Sequence, residues 1–253
     1  MKRVAMNMQT SLSQEWYKFR HQKGPLLGLL VLLGLMLIMA LSAPVTQSAV
    51  VMGFGTPQWL LMIIVIIGAN FMIMEDQHTT IRTLLYRHTY RWSIYLAKLL
   101  ILSLYTAVLV CLSLLFTGLL KIVLAPELTW QRGQLFNHLL VGMAGTFLVA
   151  ILLLTIILWL ACLLPINTVV IDLGLILIFT GQGIASLIID ANPTLMAILK
   201  WQPLNMLNLM AQLPDPSYQK DTHLSNAQLL AGIIGYSGFF LAIGYWRFKH
   251  KRV

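Results

Sequence analysis

The ionisable side chains that could act on a partner are concentrated in one polar segment, residues 74–91. It contains one acidic pair, three arginines, two histidines and a short apolar stripe of Ile81, Leu84 and Leu85. Long apolar runs flank it on both sides, so it is the best candidate for a surface that meets a soluble protein. Two interpretations fit: a short amphipathic helix anchored on lipid headgroups, or a helix whose apolar stripe inserts into a cleft on that partner.

Sequence motifs for hydrolytic chemistry are absent from the chain. The phosphate-binding loop G-x-x-x-x-G-K-[ST] and the zinc motif H-E-x-x-H do not occur. Residues 235–238 read Gly-Tyr-Ser-Gly, which is the wrong spacing for a nucleophile elbow. Cys111 and Cys162 both fall within apolar runs and are expected to pack as small hydrophobes. We therefore predict a protein that is not an enzyme, with no catalytic residue, metal site or cofactor of its own.

Composition places the chain in a membrane. Of its 253 residues, 58% are hydrophobic and 10% are charged, whereas a soluble domain has roughly 25% charged residues. About 20 apolar residues are needed to cross a bilayer as a helix. The sequence therefore predicts an all-α polytopic membrane protein, a single domain over residues 1–253. Its six predicted spans are residues 25–43, 57–74, 93–120, 138–163, 168–189 and 226–246.

Basic residues fix the predicted orientation. With six spans, thirteen of the 17 Lys and Arg residues fall on the side of the two termini and four on the opposite side. Positive residues are retained on the cytoplasmic side, so both termini and the 75–91 loop are predicted to be cytoplasmic. The same placement beside apolar spans argues against nucleic acid as the partner of this +9 chain.

Two ionisable residues lie near the ends of predicted spans. Asp172 lies near the cytoplasmic end of the fifth span, where a helix-terminal or inter-span hydrogen bond is favoured over a proton site. Lys98 is expected within snorkelling reach of the cytoplasmic interface. No ion relay across the spans is evident from these residues.

Residues 1–24 predict an amphipathic helix lying at the cytoplasmic interface, in contact with membrane lipid. Apolar residues recur there at helical spacing, and basic residues point toward the headgroups. A disordered basic tail is the alternative. The apolar set is Met8, Leu12, Trp16 and Phe19, and the basic set is Lys18, Arg20 and Lys23.

Residues 190–225 form the longest predicted connection, on the outer side. The first half is unusually apolar for an aqueous loop, yet each apolar piece is too short to span. Two short re-entrant helices hinged near Pro203 fit this pattern. A helix lying flat on the outer surface, with Trp201 as its interfacial anchor, fits equally well.

The order of these features resembles the permease subunits of type-2 ABC exporters. In that family a glutamate after the second span leads into a Gly-Thr pair, a short coupling segment, an aromatic residue or Ser followed by Arg, and a Lys in the next span. The usual glycine is missing here, where His78 precedes the first threonine. The residues in matching order are Glu75, Thr79, Thr80, Arg91 and Lys98.

The resemblance implies a function and a set of partners. Two permease subunits, identical or similar, would pair over two cytoplasmic ABC ATPase subunits, which would bind the ATP and Mg. In chain length and in the lack of an extracellular domain, the chain looks most like the lantibiotic-immunity and bacitracin-resistance permeases. This resemblance implies that it expels an antimicrobial peptide or another amphiphile from a bacterial cell membrane. A standalone secondary transporter or channel using Asp172, and a non-transporting peptide-immunity protein, are the alternatives.

The resemblance also assigns roles to residues. The coupling segment would receive the motion of the ATPase, and the apolar outer loop would form part of an external gate. The coupling residues are Glu75, Thr79, Thr80, Ile81, Arg82, Leu84, Leu85, Arg87 and Arg91. The gate residues are Pro193, Leu199, Trp201, Pro203 and Leu207.

Overall fold

The computed structural model describes residues 8–77, 91–128, 135–164 and 166–250, and in these ranges it contains helices and no strands. Six of the helices there are long and apolar enough to cross a membrane, as the sequence predicts. They are α2 (Lys23–Ser42), α4 (Thr56–Gln77), α5 (Arg91–Leu124), α6 (Leu135–Leu163), α7 (Asn167–Ala191) and α11 (Asn226–His250).

Five short α-helices lie in the remaining described segments. Two of them flank the long helices near the start of the chain, and three lie in the connection before the last long helix. They are α1 (Met8–Arg20), α3 (Gln47–Val51), α8 (Met196–Leu199), α9 (Leu209–Gln212) and α10 (Gln219–Thr222).

The centre of the bundle is α6. In its most apolar stretch 67% of the residues are buried, against 22% in α2 and α11. Helices α4, α5, α7, α9 and α11 all pack against α6. The peripheral helices α2 and α11 leave large apolar side chains exposed, which is the surface expected of helices that border lipid. The fourth predicted span therefore makes more contact with other elements than any other helix does.

A tight turn between α3 and α4 shapes one end of the bundle. Gly53, Phe54 and Gly55 all have positive φ, between 51° and 80°. A positive φ is unusual for a bulky residue, and here Phe54 is held by burial, with 2% of its surface exposed. The Thr56 hydroxyl donates to the Gly53 carbonyl at 2.5 Å and so closes the turn.

Candidate functional site

The predicted coupling segment lies mostly outside the described residues. Residues 78–90 are not described, which includes Thr79, Thr80, Ile81, Arg82, Leu84, Leu85 and Arg87. Backbone positions are given for Glu75, in the last turn of α4, and for Arg91, the first residue of α5. The role assigned to these residues remains a prediction. The structure does describe the helices that enter and leave the segment, and the candidate site is built from them.

A buried ion pair joins α1 to the start of α5. The Lys98 ammonium donates to Glu15 Oε2 at 2.8 Å. Only 1% of the Lys98 side chain and 2% of the Glu15 side chain are exposed. The expectation that Lys98 snorkels to an aqueous interface is wrong, because α1 covers it and supplies its counter-charge. Charges this deeply buried are normally paired in this way.

Neighbouring groups complete the coordination of this pair. The half-buried Lys18 ammonium donates to the other carboxylate oxygen, Glu15 Oε1, at 2.6 Å. Lys98 also donates to the Phe71 carbonyl at 3.3 Å and lies 4.4 Å from the centre of the Phe71 ring. Both oxygens of Glu15 are therefore used, and Lys98 has an acceptor on α4 as well as on α1. Lys18 was predicted to face lipid headgroups. The structure adds an ion pair with Glu15, which that prediction did not include.

The face that α1 turns to the bundle is half polar. Ser11, Glu15 and Phe19 are buried at four-residue spacing, which places them on one side of the helix. The Ser93 hydroxyl donates to the Ser11 hydroxyl at 2.8 Å. The Phe19 ring meets the rings of two residues, Phe71 and Tyr105, edge-on.

The apolar stripe predicted on α1 is divided by this packing. Phe19 is in the core of the bundle, while Leu12 and Trp16 are exposed and line an open groove with Leu100 and Leu104 of α5. Arg20 is exposed as well. The two exposed apolar residues are free to contact lipid, so an interfacial position of α1 stays a prediction for this side of the helix.

The opposite face of α5 is held by the last helix. Trp92 and Tyr95 pack against the rings of Tyr245 and Phe248 on α11, with ring centroids 4.4 to 6.3 Å apart. Gly244 makes this approach possible, because a Cβ at that position would lie 2.2 Å from the Tyr95 hydroxyl. The first two turns of α5 are thus held by α1 on one face and by α11 on another.

The turn between α1 and α2 is fixed to the same end of the bundle. The Gln22 amide donates to the sulfur of Met74, near the end of α4, at 2.8 Å. The Tyr105 hydroxyl donates to the Pro25 carbonyl at 2.8 Å. Gly28 lies directly against Tyr105, and a Cβ at that position would be 2.8 Å from the Tyr105 hydroxyl oxygen. A displacement of α1 would therefore act directly on the first predicted span.

At the other end of the bundle, the connection before α11 folds back among the long helices. Leu204 and Leu207 lie against Gly181 of α7. Gly181 is ten residues from the end of that helix, which corresponds to about 15 Å along its axis. The Gln182 amide donates to the Leu207 carbonyl at 3.0 Å. We call residues 200–224 the inserted segment, because part of it lies beside the middle of α7. Its re-entry into a membrane remains a prediction.

The predicted gate residues fall in different environments. Pro203 and Leu207 line a cavity of about 300 Å³ between α6, α7 and the inserted segment, and the rest of its lining is apolar. Trp201 is exposed, and its carbonyl accepts a hydrogen bond from the Tyr236 hydroxyl at 2.6 Å. Leu199 is half-buried. The side chain of Pro193 lies outside the described residues.

A buried network of neutral polar side chains stabilises the inserted segment. Asn205 donates to the Lys200 and Thr222 carbonyls at 2.7 and 2.9 Å. Gln212 accepts from the Thr222 hydroxyl at 2.6 Å and donates to the Leu224 carbonyl at 2.9 Å. Sequence reasoning missed this network. Its signal was the presence of three amide side chains, Asn205, Asn208 and Gln212, within an otherwise apolar stretch.

Asp172 does not make the hydrogen bond expected of it. It is exposed on α7, and the structure gives it no hydrogen bond or ion pair within the described ranges. An inter-span bond is formed five residues earlier, where Asn167 donates to Asn70 of α4. The expected contact was therefore assigned to the wrong residue of the same helix end.

Comparison with known proteins identifies the family. A family model described as ABC-2 family transporter protein matches residues 11–183, which is more than half of the chain. The match spans Glu15, Lys98 and the predicted coupling segment, and ends before the inserted segment. No curated protein matches the chain. The chain belongs to the ABC-2 family of transporter proteins and is a multi-pass, non-catalytic permease subunit of an ABC transporter.

Proposed function

We propose that this permease is driven by a cytoplasmic ABC ATPase whose motion it receives through residues 75–91. One observation carries the proposal: the helix that follows this segment is held by buried contacts from its first two turns onward. Ser93 and Lys98 contact α1, while Trp92 and Tyr95 contact α11. A force applied to the segment would act on a rigid group of helices rather than on a loose loop.

We also propose that two permease subunits pair through α4 and α7. These helices are neighbours, since Val65 of α4 packs against Gly174 of α7. Each leaves polar side chains exposed in a span: Gln58 and Asn70 on α4, and Asp172 on α7. Charged residues within spans normally face a partner or a water-filled cavity rather than lipid. A second copy, or a similar chain, would enclose these residues.

The cargo and its route follow from the same surfaces. Substrate would pass along the polar face between the paired subunits, and the inserted segment with Pro203 and Leu207 would form part of an outer gate. We propose an amphiphile, such as an antimicrobial peptide, because a polar path bordered by apolar helix surface suits a molecule with both characters. The excess of Lys and Arg on the side of the termini supports a cytoplasmic location for both ends. We propose a bacterial cell membrane because the chain resembles the lantibiotic-immunity and bacitracin-resistance permeases.

The decisive test is purification of the permease with its ATPase from the native operon, reconstituted in lipid. Leu84→Asp places a charge in the apolar stripe that would enter the ATPase. We expect permease-stimulated ATP hydrolysis and ATPase binding to fall at least tenfold, while membrane insertion is unchanged. Lys220→Glu is the matched control, since it changes an exposed charge at the far end of the bundle and should leave binding intact.

Two outcomes would contradict the proposal in different ways. Full ATPase binding by Leu84→Asp would mean that the apolar stripe is not the contact surface. Transport that continues without any ATPase and is lost in Asp172→Asn would mean that the protein works as a secondary transporter. The exposed Asp172 carboxylate is the group on which that second mechanism would depend.

A further inference from the structure

The Glu15–Lys98 pair lies where motion from the coupling segment would enter the bundle. Helix α5 begins at Arg91, so Lys98 is seven residues, or about 10 Å, along the helix from the segment. Glu15 is near the middle of α1, and 83 residues separate the two charges in the chain. The pair thus connects the segment to a helix that precedes the first span.

We propose that this ion pair is a positioning link that makes α1 move together with the start of α5, and so transmits the displacement of residues 75–91 to the first span. The inference rests on the proposed function, because it needs an ATPase to supply the displacement. It concerns a different step: not how the motion is received, but how it reaches α2.

The chemistry of the contact keeps the two helices together. Pulling α1 away from α5 would take the Glu15 carboxylate away from Lys98, whose side chain is 1% exposed and lies beside the Phe71 ring. Breaking a buried ion pair in such surroundings costs more free energy than losing an apolar contact. The Ser93–Ser11 hydrogen bond lies on the same face, so separation would break polar contacts at two levels of the helix.

The connection from α1 to α2 is short enough to transmit a displacement. Only His21 and Gln22 separate the two helices, and Gln22 is bonded to Met74. Helix α2 is otherwise peripheral, with 22% of its most apolar stretch buried, and it packs mainly on α4 and α5 rather than on the central α6. The contacts of α5 with α11 are aromatic and do not depend on the ion pair, which makes the α1 link separable by mutation.

The test uses the reconstituted permease–ATPase complex with Cys111 and Cys162 replaced by alanine. The reporter is Met39→Cys, an exposed position on α2, and the measurement is its rate of labelling by a charged maleimide with and without ATP and vanadate. In Glu15→Gln/Lys98→Met both charges are removed together, so neither is stranded. We expect ATPase binding to persist and the ATP-dependent change in labelling rate to fall at least fivefold.

A disulfide supplies an independent link at the same contact. Ser11→Cys/Ser93→Cys replaces two hydroxyls that are 2.8 Å apart, close enough for a disulfide to form. With the native ion pair present, oxidation should leave the ATP response intact. In the Glu15→Gln/Lys98→Met background, oxidation should restore the response. The same protein after reduction is the control, because it differs only in the cross-link.

Each result bears on the link. A normal ATP response in Glu15→Gln/Lys98→Met without the disulfide would overturn the proposed link. A disulfide that blocks the ATP response of the protein with its native ion pair would also overturn the link, because it would mean that α1 and α5 must separate during the response. The disulfide experiment decides the matter if the neutralised variant does not fold. If the native permease binds no ATPase, the proposed function is wrong and the inference fails with it. If the Glu15→Gln/Lys98→Met variant binds an active ATPase and its ATP-dependent change in labelling rate equals that of the native protein, only the link is wrong.

Discussion

Two buried polar junctions hold the two ends of this bundle, and they are built from different chemistry. At one end, α1 is joined to α5 by the ion pair between Glu15 and Lys98. At the other, the segment before α11 is held by amide and hydroxyl groups, with Asn205 and Gln212 at the centre. Both junctions are almost completely inaccessible. One carries charge and the other does not.

The difference matters for what each junction tolerates. Removing one member of a buried ion pair leaves an uncompensated charge, whereas removing one neutral amide leaves groups that need only a hydrogen-bond partner. We therefore expect the charged junction to lose more stabilising free energy than the neutral junction when one partner is removed, because the remaining groups of the neutral junction can form other hydrogen bonds. A contact that must stay closed during a transport cycle is suited to the first kind, and a segment proposed to open as a gate is suited to the second.

The largest predicted effect comes from removing one charge of the ion pair. Lys98→Met leaves Glu15 with Lys18 as its neighbouring cation, half-buried and on the same helix. Because Lys18 still neutralises part of the Glu15 charge, we expect the free energy of unfolding to fall by about 3 kcal/mol, the lower end of the usual cost of removing one partner of a buried ion pair. Denaturant unfolding of the purified permease in bicelles measures this change.

The double variant separates charge from packing. Glu15→Gln/Lys98→Met keeps the approximate volume and removes both charges, so its free energy of unfolding should lie close to that of the native protein. If the double variant were as unstable as Lys98→Met, the loss would reflect packing or the Phe71 contact. The contrast between the two junctions would then be wrong.

A smaller effect is expected at the neutral junction. Gln212→Ala removes the acceptor of the Thr222 hydroxyl and the donor to the Leu224 carbonyl. Thr222 retains a bond to the Leu224 carbonyl at 3.3 Å, so the free energy of unfolding should fall by only about 1–3 kcal/mol. The same bicelle assay measures it, and a double-mutant cycle with Thr222→Val should give a smaller coupling energy than the cycle for Glu15 and Lys98. An equal or larger coupling energy would contradict the comparison.

The architecture was accessible from the sequence because bilayer thickness imposes it. Six runs of about 20 apolar residues can do little else than form membrane helices, and all six were predicted. The helix ends were not: α5 begins at Arg91 and reaches Leu124, four residues beyond the predicted span. Hydropathy marks where a helix meets lipid, but a helix continues wherever neighbouring helices or water satisfy its backbone.

The ion pair was beyond reach because its partners are far apart in the chain. Glu15 lies in a polar N-terminal segment and Lys98 near the start of a span, and nothing local connects them. The assumption that a lysine near a span end reaches for water was reasonable for an isolated helix, but it failed because α1 covers that position. The neutral network is different, since Asn205 and Thr222 are only 17 residues apart. Its amides could have been recognised as misplaced in an apolar stretch.

An exposed charge on the same inserted connection provides the smallest predicted effect. Asp215 caps the short turn at Pro216–Tyr218. Hydrogen bonds from the backbone and side chain of Ser217 hold the pKa of the Asp215 carboxyl below the ordinary value of 3.8, and the nearby His138 makes a smaller contribution. A lowered pKa means that this carboxylate stabilises the fold above its unfolded pKa, and that the contribution is lost as the pH falls through the folded pKa. Hydrogen exchange at the Ser217 amide, followed from neutral to acid pH, should show protection that decreases in that range.

Asp215→Asn is the matched control for this acid response. An asparagine at the cap keeps an oxygen acceptor for the Ser217 amide but cannot titrate, so protection should be lower at neutral pH and independent of pH after correction for intrinsic exchange. Added salt should weaken only the His138 part of the native response, which acts through charge rather than through a hydrogen bond, whereas the buried Glu15–Lys98 pair should be insensitive to it. Acid sensitivity that persists in Asp215→Asn would mean that another group controls the turn. Salt sensitivity of the Lys98→Met destabilisation would mean that water reaches the ion pair, and the division between a sealed charged junction and an adjustable neutral one would then fail.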